Sequence, residues 1–431
     1  MAQGLTQINA SRSHTEYLFC FARCVSHLRG QYEQDGNTAL QTPLVGIMYE
    51  PSGSRAPNLA FLWPAFAAAA TSDMAAMVAA QFARLAIGPD SPPASEPEWA
   101  TPHKIALELK TVRLRDFSKA ARGGNVALIC APFALHSAVI ADFAAGHSLV
   151  AALRKAGLGR LFVTDWRSAT AKMQYFGIDD YLAVLNILVD EIGAPVDLIG
   201  LCQGGFLALV YAARFPAKVR KLVLAGAPVD IAAAPSPLTL IADNSPLALF
   251  HEVLRLGDGL VPGRKIEKFW GPESVAPENI RELLQTDAKP GSVEFERLGD
   301  SFRKWHRWTL DLPGAFFIET VEKLYRRNEL ASGQFVALGR RIDLKTIRAP
   351  LFLLAGTEDE LVAPAQLFAA EHLVGTAHEQ MGKIETPCRH VALFMGRKNL
   401  EQIWPRIARW LTAPRDTRAE PSQRESLHAQ H

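Results

Sequence analysis

Cysteine is scarce in this chain. Its five thiols (Cys20, Cys24, Cys130, Cys202 and Cys388) are odd in number and lack paired spacing, which argues against a disulfide framework or a zinc knuckle and points to a reducing compartment. Charge of one sign is scarce as well. A formal net charge of +2 gives no field for nucleic acid or an anionic membrane. Long apolar runs are missing. Leu59 to Ile87 is alanine-rich, but Pro64, Asp73 and Arg84 leave charge-free pieces shorter than the roughly 18 to 20 residues of a membrane span. That stretch reads as a buried or interfacial helix pair, with docking on an apolar surface as the functional alternative. Met1 to Ala10 lacks the basic start, apolar core and small-residue cleavage site of a signal peptide.

What is present is an ordinary globular composition, 48% hydrophobic and 21% charged. Residues 1–102 read as a helical N-terminal region and a linker: Leu18, Phe21, Ala22, Val25 and Leu28 recur at helical spacing within Glu16 to Tyr32, and Gly88 to Pro102 is proline-rich. Residues 103–412 then alternate strand and helix patterns. Strands are expected at Ile105 to Leu114, Val126 to Cys130, Leu161 to Asp165, Val196 to Ile199, Val219 to Leu224, Pro350 to Ala355 and Met381 to Glu385. Helices are expected at Leu149 to Leu158, Tyr181 to Ile192, Phe206 to Phe215 and Leu400 to Leu411. Repeated strand-helix-strand units imply an α/β fold, a mostly parallel sheet with helices on both faces and its chemistry at the carboxyl ends of the strands. Residues 413–431 are polar and charged, a tail expected to be disordered.

The most informative stretch is VDLIGLCQGG, Val196 to Gly205, a buried strand that runs through a glycine-flanked cysteine into an apolar helix. This is the layout of a nucleophile elbow, G-x-C-x-G, with Cys202 in the place serine usually holds. A tight strand-to-helix turn strains the backbone and crowds its neighbours, so Gly200 and Gly204 supply positions without side chains. The start of a helix also favours a thiolate.

A nucleophile of this kind needs a base and an orienting acid further along the chain. GTEDELVAP after the strand Pro350 to Ala355 puts Asp359 in a post-strand loop. His390 follows the last strand within TPCRH. Glu358 and Glu360 stand as alternatives to Asp359, while Asp343 lies at the wrong end of its strand. His136 and His147, near the second strand, read either as pocket-lining residues or as residues without a role; His428 and His431 belong to the tail. The backbone N–H groups of Gln203 and Phe133 are the candidate oxyanion hole. Residues 231–341 interrupt the sheet pattern as a cap rich in Phe250, Phe269, Trp270, Trp305, Trp308, Phe316, Phe317 and Tyr325, most of them expected to form its core. Arg326, Arg327, Arg340 and Arg341 in the cap read as a solvated face, with phosphate contact as the alternative.

The segments HSLVAAL, LFVTDWRSA, DDY, GLCQGG, WTLDLPGAFFIETVEKLYRRNELASG, GRRIDL, EDELVAP and RHVALFMG resemble the polyhydroxyalkanoate synthases, especially their shorter cysteine-box form. They are similar also to the intracellular polyhydroxyalkanoate depolymerases. The resemblance spans roughly residues 105 to 412. It implies an α/β-hydrolase fold with Cys202 as acyl-carrying nucleophile, His390 as base and Asp359 as its partner. It implies no cofactor, a 3-hydroxyacyl coenzyme A thioester or the polymer as substrate, and a cytoplasmic setting, with the polymer granule surface and a homodimer or partner subunit as the partners to expect. The sequence departs from the pattern twice: Arg389 replaces the glycine before the histidine, and Glu360 replaces the histidine that synthases carry after the acid. GAPVDI, LPGAFF and PFALHSA lean toward the depolymerases, and the cysteine box toward the synthases. Thiol-to-thiol acyl exchange is nearly isoenergetic, which favours a coenzyme A thioester as acyl donor to a cysteine. Hydrolysis of the polymer through the same residues is the runner-up, and a catalytically inactive granule-binding protein is the third reading.

Overall fold

The computed structural model describes residues 95–119, 124–266 and 276–414. The expected helices Glu16 to Tyr32 and Leu59 to Ile87, residues 88–94 of the proline-rich linker, Cys20, Cys24, Phe269, Trp270, His428, His431 and the tail from residue 415 lie outside the described residues.

The organising element is an eight-stranded sheet: β1 Lys104–Glu108, β2 Val112–Asp116, β3 Val126–Cys130, β4 Arg160–Trp166, β5 Val196–Leu201, β6 Val219–Ala225, β7 Leu351–Gly356 and β8 Met381–Thr386, in the spatial order β1-β2-β4-β3-β5-β6-β7-β8. From β4 to β8 every neighbouring pair is parallel, whereas β2 is antiparallel to both β1 and β4. Position in the sheet explains composition. Central β5, VDLIGL, is buried at every residue, as a strand covered on both faces must be, while edge strand β1 is almost wholly exposed.

One expectation needs correcting. Ile105 to Leu114 is not a single strand but the hairpin β1–β2, closed where Leu109 N–H donates to Val112 C=O at 2.8 Å. The alternating pattern ran through the turn because Leu109 and Thr111 happen to keep its phase.

Helices cover both faces. On one side lie α2 Ile178–Ile192 and α3 Gln203–Arg214; on the other lie α1 Leu149–Lys155 and the C-terminal helix α9 Trp404–Thr412. In α2 the buried residues Ile178, Tyr181, Leu182, Leu185, Leu188, Val189 and Ile192 form one stripe, and Gly193 at φ 90° ends the helix. Each fully buried Leu there contributes about 1.5 to 3 kcal/mol relative to exposure. The cap between β6 and β7 is helical: α4 Pro237–Asn244, α5 Leu247–Leu256, α6 Pro277–Leu284, α7 Val293–Arg307 and α8 Gly314–Glu319, which runs on as a wider-wound turn over Thr320–Arg326. Phe250, Trp305 and Phe316 are buried, but Trp305 packs on His136 and Phe316 on Phe133 of the loop after β3, and Trp308, Phe317 and Tyr325 are half-buried, so these aromatics do not form a core of the cap's own. Among the described residues no helix is long and apolar enough to cross a membrane.

Candidate active site

The elbow forms at the carboxyl end of β5. Cys202 sits between β5 and α3 at φ 51°, ψ −128°, a region that costs a non-glycine residue energy and persists only when its surroundings enforce it. Two backbone bonds do so: Cys202 N–H donates to Ala225 C=O at 2.9 Å, and Cys202 C=O accepts from Gly205 N–H at 2.8 Å. The expected glycines have definite steric reasons. A Cβ on Gly200 would lie 2.4 Å from Gly205 Cα, and one on Gly204 would lie 2.2 Å from Cys130 C=O. Gly205, which the sequence reading passed over although it closes the same GLCQGG stretch, is as constrained: its Cβ would meet that of Ala227 at 2.3 Å.

The close seat of Gly204 against β3 brings the loop after that strand beside the start of α3. Pro132 has no N–H and Ala131 N–H is taken by Thr164 Oγ1 at 3.0 Å, so Phe133 carries the first amide after β3 available to another acceptor. Gln203 is the first residue of α3, and its N–H has no acceptor within the helix. The Phe133 ring itself is fully buried against Trp166, Tyr181 and Phe316.

Asp359 and His390 meet across the loops after β7 and β8. Asp359 Oδ1 accepts the N–H groups of Leu361 and Val362, each at 2.9 Å, which turns Oδ2 toward the ring of His390; Oδ2 and Nδ1 are 2.7 Å apart. Glu358 and Glu360 do not reach the ring nitrogen. The imidazole is buried, with the edge of Phe394 at 5.5 Å between ring centroids on one side, and Gly226 close by: a Cβ there would stand 3.1 Å from His390 Cε1. Since Nδ1 faces a carboxylate, the ring offers Nε2 to the thiol. Nε2 is buried without an aligned hydrogen bond, and the Cys202 side chain is its electrostatic neighbour. Burial alone pushes this imidazole down; the Asp359 carboxylate and the Cys202 thiolate outweigh it and hold His390 well above its ordinary value.

The other candidates fall elsewhere. His136 is wedged between the loop after β3 and the cap, its ring 4.6 Å from that of Trp305 and 5.1 Å from that of His306, and burial pushes it down to about 3. His147 lies beneath the segment Ala392–Met395, with Nδ1 2.8 Å from Met395 C=O. Asp343 caps the turn before β7 by accepting from Lys345 N–H at 2.9 Å. The cap arginines are engaged or outward: Arg326 donates to Ser245 C=O at 2.7 Å, Arg327 pairs with Glu322 at 3.0 Å, Arg341 donates to Gly333 C=O, and Arg340 is exposed. Among the described cap aromatics, Tyr325 has the Cys202 side chain as an electrostatic neighbour. Burial, and then the charge of Cys202, hold its phenol above the usual tyrosine range. Its signal in the sequence was only membership of the aromatic cap. Cys130 and Cys388 are buried thiols pushed up to about 12, which leaves them inert beside Cys202. Among the described residues no group of His, Cys, Asp and Glu converges to hold a metal ion.

Comparison with known proteins shows what this chain is similar to. The family model described as PHB de-polymerase C-terminus matches residues 291–414. The poly(3-hydroxyalkanoate) polymerase subunit PhaC of Synechocystis sp. is 28% identical over 295 residues, 63% of this chain and 73% of that protein. The polymerase subunit of Haloferax mediterranei is 23% identical over 330 residues, 74% of this chain and 65% of its own length. That of Allochromatium vinosum is 25% identical over 265 residues, 58% of this chain and 71% of that one. Among solved structures, a monoacylglycerol lipase from Paleococcus ferrophilus superposes with a TM-score of 0.47 at 16% identity, over 70% of this chain and 98% of that one. The strand order and the cysteine elbow mark an enzyme of the α/β-hydrolase superfamily, and the chain is similar to the poly(3-hydroxyalkanoate) polymerase subunits and, over residues 291–414, to the PHB de-polymerase C-terminus.

Proposed function

We propose that the protein transfers 3-hydroxyacyl groups from coenzyme A thioesters to the hydroxyl end of a growing polyester, through Cys202, His390 and Asp359. The observation that carries this reading is the 2.7 Å contact of His390 Nδ1 with Asp359, which leaves Nε2 as the proton acceptor beside an elbow cysteine. His390 takes the thiol proton; the Cys202 thiolate attacks the thioester carbonyl; the tetrahedral oxyanion is held by the N–H groups of Gln203 and Phe133. Collapse expels coenzyme A as its thiolate, which takes the proton from His390. The chain-end hydroxyl then gives its proton to the same imidazole, attacks the acyl-cysteine and forms the new ester, and the proton returns to the Cys202 sulfur. Asp359 holds the ring and steadies the imidazolium in both halves.

The relatives named as polymerase subunits support this direction, and that word supports a further subunit or a second copy of the chain as partner. A cytoplasmic position at the surface of the polymer granule follows from the same reading. The match to the de-polymerase family model favours a second reading, in which water replaces the chain-end hydroxyl and the polymer is hydrolysed. One assay separates them. Purified protein is given 3-hydroxybutyryl coenzyme A, and free coenzyme A, polymer and free acid are followed by chromatography; separately it is given amorphous polymer. Coenzyme A release with polymer growth supports the transferase. Free acid from polymer, with the thioester untouched, supports the hydrolase. Turnover of neither substrate overturns both.

A further inference from the structure

Arg389, in the loop that carries His390, and Glu360, in the loop that carries Asp359, are 29 residues apart and form one ion pair: Arg389 donates to Glu360 Oε1 at 3.2 Å. The other oxygen of the same carboxylate, Oε2, accepts the backbone N–H of His390 at 3.1 Å. The contact is part of a longer seam in which three successive residues of the acid loop bind the base loop. Glu358 N–H donates to Cys388 C=O at 3.2 Å, Asp359 takes the His390 ring, and Glu360 takes the His390 peptide together with the Arg389 side chain. Asp359 alone fixes one atom of the imidazole and leaves the peptide that carries it free to shift.

We propose that Glu360 is a positioning residue for the base, clamping the His390 peptide, and that Arg389 is its counter-ion. The pairing has a second effect. Glu360 is next in sequence to Asp359 and one loop away from the thiolate, and Arg389 neutralises a carboxylate that otherwise competes for the imidazole or repels the reacting sulfur. Arg389 stands 4.0 Å from Glu282 of α6 as well, which keeps the guanidinium on the cap side and away from the ring.

This inference rests on His390 being the base, and the test separates the two failures. The rate of Cys202 alkylation by iodoacetamide, read at the Cys202 peptide by mass spectrometry across pH 5 to 10, reports the thiolate without assuming a substrate. If His390→Ala leaves the wild-type profile unchanged, the catalytic reading fails and the clamp with it. If His390→Ala alters the profile, the clamp is tested by Glu360→Ala, Glu360→Gln, Arg389→Ala and the double variant Glu360→Ala/Arg389→Ala. The expected result is a loss of roughly tenfold to a hundredfold in alkylation rate near pH 7 for Glu360→Ala, as for a base displaced by a fraction of an ångström to an ångström. Partial rescue is expected in Glu360→Gln, which still accepts the His390 N–H and also guards against a variant that fails to fold. The double variant should be no worse than Glu360→Ala alone. A wild-type profile in Glu360→Ala, or losses that simply multiply in the double variant, overturns the proposal.

Discussion

Strand β5 has an ionisable group at each end, and the two ends give it different neighbours. Near its start, Asp197 is 2% exposed and pairs with Arg220 of β6, which also donates to Leu411 C=O at 2.7 Å. The next residue, Lys221, sends its ammonium to Trp410 C=O at 2.5 Å and Ala413 C=O at 2.8 Å, a cation on the last carbonyls of α9. Each charge there has a partner within the chain, although Asp197 Oδ1 and Arg220 Nε make no hydrogen bond. At the other end Nδ1 of His390 has its carboxylate, and Nε2 is likewise without a hydrogen bond. The two ends differ in what lies beside the open atom: fixed charges of opposite sign at the first, and at the second the side chain of a cysteine, which can give up a proton.

The largest contrast is expected from single substitutions at the two ends. Cys202→Ala should remove acyl transfer by about 10⁴-fold or more while leaving the melting temperature close to wild type, since a small side chain of intermediate burial is exchanged for another. Lys221→Met should do the reverse. It strips the end of α9 of its donor, costs about 1 to 3 kcal/mol of stability and leaves kcat per folded molecule intact. Chemical denaturation and steady-state kinetics on the same preparations check both. A Lys221→Met protein that folds normally but turns over slowly breaks the contrast.

A smaller effect sharpens it. Gly226 follows β6 at φ +53°, and a Cβ there would stand 3.0 Å from Leu393 and 3.1 Å from His390 Cε1. Gly226→Ala is expected to cost about 1 to 2 kcal/mol in backbone strain. It should also shift the imidazole enough to lower kcat about tenfold with little change in KM. Gly157→Ala, at φ +107° with nothing within 4 Å of the new methyl, carries strain without the ring contact and should lose stability alone.

Much of this was legible from residue order. Parallel strands buried on both faces read as short apolar runs, so β3, β5, β6 and β7 stood out, and each post-strand loop could be searched for its polar residue. That search gave Cys202 and Asp359, and the loop after the partly exposed β8 gave His390. What sequence did not carry was anything set by contact across the chain. The hairpin inside Ile105 to Leu114 was hidden because the turn keeps the period of two. The choice among Glu358, Asp359 and Glu360 depended on which side chain the turn aims inward, and two N–H groups on Asp359 Oδ1 decide it. Arg389 and Glu360 read as separate oddities because their pairing exists only once β7 and β8 lie side by side.

Each end of β5 also has its own pH window, and the sign is the same for both. Burial pushes Asp197 up to about 6 from 3.8, against the pull of Arg220, so the folded protein holds that proton more tightly than the unfolded chain. The associated stabilisation is complete below about pH 4 and is lost as pH rises through about 6. For His390 the folded value stands well above 6.5, so its share is complete below pH 6.5 and disappears only on the alkaline side. Thermal melts across pH 4 to 9 should therefore show Asp197→Asn flattening the acid part of the profile and His390→Gln the alkaline part. Because the His390 shift draws on Asp359 and on Cys202, Cys202→Ala should also weaken the alkaline dependence while leaving the acid part as it is. If the Cys202→Ala profile overlays wild type above pH 7, the sulfur and the imidazole are not a coupled pair, and the two ends of β5 differ only in the residues they happen to bury.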